Sequence, residues 1–416
     1  MSQSLRSSLL KTLRRPLRDL IVGSAPTYAA YSKLKESLLL KEYRQRREYY
    51  QALCERQGLR YGEAEVTAQI RLHIAERGYS PSLKEIGNVH TFSIIPRLGW
   101  HSHLFDDLYK IGPVTEFDYV RCGYDPLEFY RADKYGTQRR LEMNALILPA
   151  IKEAHTRKPI DWVFVYASGT EVSANTIHRI QEEIGIPVVN MCLDDKQSWS
   201  GKWMGDHRGN QIDVAKIYDL SWTSARIACN WYLAEGGRPI YMPEGCNPSV
   251  YKPIPLPKDI PVSFIGAAYG FRKKTIRFAK HYEVDIQTFG EGWNTRVLGN
   301  NEIVEILCRT QINLGMGGIG YSEWLTNVKG RDFEIPCTGG GGYLTSFNPD
   351  LALHFDIGRE ILCYRTNDEM IELIRYYLNH PKDITQIALR GRERCLREHR
   401  WMHRYIKICQ ILGILK

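Results

Sequence analysis

The sequence predicts an α/β protein made of two doubly wound parallel-sheet units, preceded by a basic helical extension. Three observations carry that prediction. Short apolar runs alternate with helical stretches twice along the chain, the pattern of parallel strands covered on both faces. The two alternating regions are separated by residues 251–261, where four prolines in eleven residues read as a linker. The length, 416 residues, suits two domains with additions.

Residues 1–84 form the extension. Leu5, Leu9, Leu10, Leu13, Leu17, Leu20 and Ile21 fall near helical spacing with arginines between them, an amphipathic pattern. The first 48 residues hold eleven Lys/Arg against four acids. Three uses fit such a segment: docking on the body of the protein, lying on an anionic membrane surface, or serving as a transit peptide. Residues 70–87 resemble the opening of a winged-helix DNA-binding domain, yet 89–96 is β-branched and aromatic where a recognition helix should stand. Nucleic-acid binding is therefore not expected.

Residues 85–252 form the first unit. Strands are expected at 90–95, 117–120, 161–166, 186–193, 218–223 and 239–242, with helices at 103–111, 138–155 and 172–184. Residues 196–213, with two tryptophans and little periodicity, read as a long loop. Residues 253–400 form the second unit. Its expected strands are 262–265, 284–289, 311–314, 343–345 and 360–364, and its expected helices are 271–281, 301–309, 368–379 and 383–399. A last helix occupies 401–416.

Composition alone does not choose the class. Apolar content of 43% and charged content of 25% are ordinary for a globular chain. A net charge of +9 favours anionic partners without choosing among them. Ten cysteines are scattered with no C-x-x-C pair, which argues for a reducing compartment and a cytoplasmic setting rather than a zinc site or a disulfide framework. No run of 18 apolar residues exists.

The most informative stretch is Gly330–Leu344, GRDFEIPCTGGGGYL. Arg331 and Glu334 are three apart and share a face on a helical turn. A guanidinium suits a phosphate, and a carboxylate suits the paired hydroxyls of a ribose. The glycines that follow, Gly339 and Gly340 first, would let the backbone approach a ligand closely. Taken with HFDIGREILCYRTNDEMIELIRYYLNHP and ALRGRERCLREHRWMHR, this stretch resembles the C-terminal half of the spore maturation protein CgeB-like glycosyltransferases. That family resembles the GT-B superfamily, in which two Rossmann-like domains face a cleft. The resemblance is close over about residues 255–405 and looser in the middle of the chain.

The resemblance implies a donor domain in the second unit, with Glu334 on the ribose of a nucleotide sugar and Arg331 toward its diphosphate. FIGAAYGFRKK brings Gly266, Arg272 and Lys273 to a strand end and helix start, where backbone N–H groups and cations make an anion site. FGEGW places Gly290 and Trp293 near the nucleotide base, where the indole would either stack on the base or serve as a buried structural residue. It also implies that the last helix crosses back to the first unit. One departure bears on mechanism. Many retaining relatives have Glu-x7-Glu, but Thr326 stands where the first glutamate would be, and the nearest acid is Glu323. Retention is favoured by analogy alone.

For a catalytic base the sequence offers His101, after the first strand, and Asp194 and Asp195, at the end of VVNMCLDD. Glu244 in PEGCNP stands within reach of the cleft. The expected activity is metal-independent transfer of a sugar from a nucleotide-diphosphate donor to a saccharide, lipid-linked glycan or protein hydroxyl, with no cofactor. The alternatives are a nucleotide-sugar-binding or scaffold protein without turnover, and a sugar-nucleotide epimerase.

Overall fold

A computed structural model describes residues 25–97, 104–201, 203 and 209–416. The helical extension enters as α1 (Ala25–Gln57) and α2 (Glu63–Glu76). The first domain has six strands: β1 (Thr91–Ile95), β2 (Val114–Asp118), β3 (Trp162–Val165), β4 (Val188–Cys192), β5 (Leu220–Thr223) and β6 (Pro239–Tyr241). They pair in the order β2-β1-β3-β4-β5-β6, all parallel. The main connecting helices are α3 (Lys134–Arg157), α4 (Ala174–Glu183) and α5 (Ala228–Ala234). Strands β1, β3 and β4 are buried at every position, which is why their sequences read as continuous apolar runs rather than alternating ones.

The second domain has β7 (Ile260–Ile265), β8 (Gln287–Phe289), β9 (Thr310–Leu314), β12 (Gly342–Ser346) and β13 (Leu362–Tyr364), ordered β13-β12-β9-β7-β8 and again parallel. An antiparallel hairpin, β10 (Gly318–Ile319) with β11 (Ser322–Thr326), stands apart from this sheet. It is not among the strands expected from sequence, because the glycine-rich GMGGIGYSEW gives too short an alternating run. The helices are α6 (Arg272–His281), α7 (Asn300–Arg309), α8 (Arg331–Thr338), α9 (Asn367–Asn379) and α10 (Pro381–Glu398).

Helix α11 (Trp401–Ile411) leaves the second domain and packs on the first. Trp401, Tyr405, Ile408 and Leu412 are buried with Phe164 and Trp222 of the first sheet. The side chain of Arg404 reaches back to the main-chain carbonyls of Pro243 (3.1 Å) and Glu244 (3.2 Å), so the crossing helix positions the turn after β6. The extension docks on the body as well. Tyr50 and Trp199 are joined by an indole N–H donated to the phenol oxygen at 2.8 Å, and the phenol donates to Glu235 at 2.6 Å. Nearer the start of α1, Tyr31 meets Tyr321 of the hairpin edge-on at 5.9 Å. Thus α1 touches both domains. Residues 1–24 lie outside the described residues, and no described helix is long and apolar enough to cross a membrane.

The domains are in contact across the cleft. Lys196 Nζ donates to Thr326 O at 2.7 Å, and Asn327 Nδ2 donates to Leu193 O at 3.0 Å. Residues from the carboxyl end of β4 thereby meet the strand that leads into α8.

Candidate functional site

The carboxyl ends of β4, β6, β7 and β9 converge on the cleft, as expected for ligand sites in open α/β sheets. From the second domain, three cations approach one place. Arg272 opens α6 and is 2% exposed. Its Nη1 donates to Ala267 O at 2.9 Å, and its guanidinium lies over the Tyr269 ring at 4.2 Å. Arg331 opens α8. A Cβ built on Gly266 would lie 3.4 Å from Arg272 Nη1 and 3.3 Å from Arg331 Nη1, so both guanidiniums point at this glycine. Arg272 Nε and Arg331 Nη1 are buried without a hydrogen-bond partner. Burial, and then the neighbouring Arg331, lower the Arg272 pKa to about 10. Lys329, two residues before Arg331, is lowered to about 8 by burial and by Arg331, with Asp194 opposing. Its only side-chain hydrogen bond among the described residues goes to Gly318 O at 3.3 Å. Like charges gathered where water is largely excluded are costly unless an anion joins them.

Gly266 and Gly290 make this approach possible. They have φ of +156° and +128°, and a Cβ on Gly290 would sit 2.7 Å from Gly266 O. The ends of β7 and β8 thus lie closer than any side chain would allow. Trp293 braces the same turn, donating its indole N–H to Gly266 O at 2.7 Å and meeting Phe264 edge-on.

Carboxyls face the cations. Glu334 shares a face of α8 with Arg331, and the Tyr251 hydroxyl hydrogen-bonds to it. Burial raises its pKa to about 7, with Tyr251 and Arg331 opposing. Glu244, held by the Arg404 contact to its backbone, is 6% exposed. A Cβ on Gly330 would lie 2.5 Å from Glu244 Oε2 and 3.6 Å from Glu334 Cδ, so the two carboxyls flank this glycine from opposite domains. Burial, and then Glu334 and Asp194, hold the Glu244 carboxyl well above the ordinary carboxylate range. Asp194 is open to water on one side and walled by protein elsewhere; desolvation raises it while Lys329 opposes. Asp332 is committed to structure, accepting from Tyr343 Oη at 2.5 Å and Lys329 N at 2.8 Å.

Arg272, Arg331, Glu334, Gly266 and Asp194 meet here, and Gly290 and Trp293 support the turn. Four expected residues do not join them. Asp195 is fully buried, with its oxygens taken by the hydroxyls of Thr223 and Tyr232 (2.8 Å), because the chain turns into a short helix after Asp194 and carries it under the sheet end. Lys273 follows Arg272 on α6 but points to solvent, one residue being about 100° of helical rotation. Gly339 and Gly340 stand at the far end of α8. Gly339 caps the helix at φ +60°, and a Cβ on Gly340 would sit 2.7 Å from Cys308. That run ends a helix and lets it pack on α7. His101 lies outside the described residues. Lys329 emerges only from the structure, although Lys-x-Arg just before a helical turn is a signal for it.

Residues 272–410 match a family described as glycosyl transferase-like. No curated protein matches the sequence. Among solved structures, sucrose-phosphate synthase from Thermosynechococcus elongatus is similar at 10% identity and a TM-score of 0.52, over 78% of this chain and 98% of that one. Anabaena HepE in complex with UDP and glucose gives 10% identity and a TM-score of 0.52, over 79% and 100%. The same protein with UDP-glucose gives 9% and 0.50, over 79% and 100%. With two parallel-sheet domains, a cleft between them and a last helix that crosses back, the fold is GT-B.

Proposed function

We propose that the protein is a glycosyltransferase that moves a sugar from a nucleoside-diphosphate donor to a hydroxyl of a saccharide, lipid-linked glycan or protein. The observation that carries the reading is the pair of guanidiniums at Gly266, Arg272 buried and Arg331 half-buried, each with one buried nitrogen that has no hydrogen-bond partner, beside Lys329 and on the helix face of Glu334. A diphosphate satisfies those nitrogens and offsets the charge. Glu334 then accepts from the ribose hydroxyls. The match at residues 272–410 and the UDP and UDP-glucose held by HepE support the same assignment, as does the resemblance of this region to CgeB-like enzymes.

In the reaction, the C1–O bond to the diphosphate breaks and negative charge grows on the leaving oxygen. Cations fixed in a site shielded from water stabilise that charge without having to reorganise. Arg272, Arg331 and Lys329 already supply the positive charge a diphosphate needs, so the proposal includes no metal. The acceptor hydroxyl loses its proton either to Asp194, the carboxylate facing the cleft from the first domain, or to the leaving diphosphate itself.

A thermal-shift panel of UDP, GDP, ADP, dTDP and CMP, on wild type and Glu334→Ala, tests the donor assignment. A nucleotide at 100 times its dissociation constant stabilises the fold by about 2.7 kcal/mol. A response to one diphosphate that the variant loses supports the reading. Silence across the panel sinks it.

A further inference from the structure

A second cavity, of about 640 Å³, opens between the N-terminal helices and both domains. Arg60 and Tyr61, from the link between α1 and α2, form one wall; Arg226, just after β5, forms another; Trp324, Asn348 and Asp350 of the second domain complete it. Its floor is the Lys196–Thr326 bond that joins the domains. The volume is that of a small-molecule site.

The chemistry of the lining is specific. Arg60 and Arg226 are exposed to the cavity's solvent and make no side-chain hydrogen bond or ion pair among the described residues. Lys196 is 8% exposed and adds a third cation, against the single acid Asp350. Asn348 is 3% exposed; its carbonyl oxygen accepts from Asp350 N at 3.0 Å, while its Nδ2 is buried with no partner. Trp324 is 66% exposed although it borders the cavity. An excess of positive charge calls for an anion. A flat indole offers a face to the C–H side of a pyranose, and an unpaired amide N–H₂ seeks an oxygen.

We propose that this cavity is a second ligand site, for a saccharide carrying a carboxylate or a phosphate, and that it is complete only when the two domains are in contact. Its walls come from both domains and its floor is an interdomain hydrogen bond, so opening the cleft takes the site apart. It is separate from the cations at Gly266, and the assignment stands whether or not the donor reading does.

The test is binding of glucuronate, glucose 6-phosphate, glucose and inorganic phosphate at matched ionic strength, by calorimetry and thermal shift. The proteins are wild type, Arg226→Glu, Arg60→Glu/Arg226→Glu and Glu334→Ala. At least one acidic sugar is expected to bind at least tenfold more tightly than glucose or phosphate. The double variant should lose that preference at least tenfold, and Glu334→Ala should keep it. A carboxylate or phosphate preference names the anion. The two substituted arginines are exposed, so folding is expected to survive; an unchanged nucleotide response of the double variant checks it, and Arg226→Glu alone serves if the double variant does not fold. Equal binding of free phosphate, no binding of acidic sugars, or loss in Glu334→Ala with retention in the arginine variants would each overturn the proposal.

Discussion

Replacing Arg331 with methionine should make the empty protein more stable and the nucleotide complex weaker. Arg331 Nη1 and Arg272 Nη1 lie 3.3 and 3.4 Å from a single point on Gly266. The two nitrogens are therefore no more than about 7 Å apart, where two unit charges repel by about 2 kcal/mol at an effective dielectric constant of roughly 20. Methionine keeps most of the side chain's length against Phe264 while removing that repulsion and the unpartnered Nη1. The gain in stability should approach about 2 kcal/mol, less whatever packing is lost, and domains of this size shift by about 2–4 °C per kcal/mol. Hydrogen bonds to charged groups contribute about 1.5–3 kcal/mol, so diphosphate affinity should fall roughly 10- to 150-fold. Differential scanning fluorimetry at low salt reads the first effect, and calorimetric titration with the diphosphate found in the panel reads the second. A less stable variant that binds the diphosphate as well as wild type does would refute the reasoning, because the guanidinium would then be structural.

Other outcomes follow from the same geometry. Ribose binding needs ionised Glu334, whose pKa is about 7, and diphosphate binding needs protonated Lys329, at about 8; nucleotide affinity should peak between those values, with Glu334→Gln abolishing the acidic limb in a titration series. In the empty protein Glu334 is raised above its unfolded value, so its contribution to stability is present below pH 4.5 and is lost as pH rises toward 7. Chemical denaturation of Glu334→Gln should show a flatter dependence across that window. Asp194→Asn should lower turnover at nearly unchanged stability, whereas Asp195→Asn leaves the Thr223 and Tyr232 hydroxyls mismatched and should cost about 1–3 kcal/mol in urea unfolding. Gly339→Ala forces a side chain into the left-handed region and should cost roughly 1 kcal/mol or more, with the nucleotide preference in calorimetry unchanged.

The sequence by itself determined the two-sheet architecture and half of the candidate site. Buried parallel strands such as β3 and β4 must be apolar throughout, so they stand out without an alignment of partners. Arg331 and Glu334 were legible because three residues of helix bring them to one face. What only the tertiary structure decided depends on groups far apart in the chain. Asp194 and Asp195 are chemically alike, and only the turn after β4 sends one into the cleft and the other beneath the sheet. The glycines at 339 and 340 have the freedom to cradle a ligand, but the position of α7 uses it for packing. Glu244 was already placed near the cleft by sequence, but what fixes it there is α11 crossing back, with Arg404 holding its turn. The reason is the range of the forces involved. Helical and strand periodicity is set by neighbours within a few residues, whereas desolvation and charge pairing depend on whatever the fold brings within several ångströms.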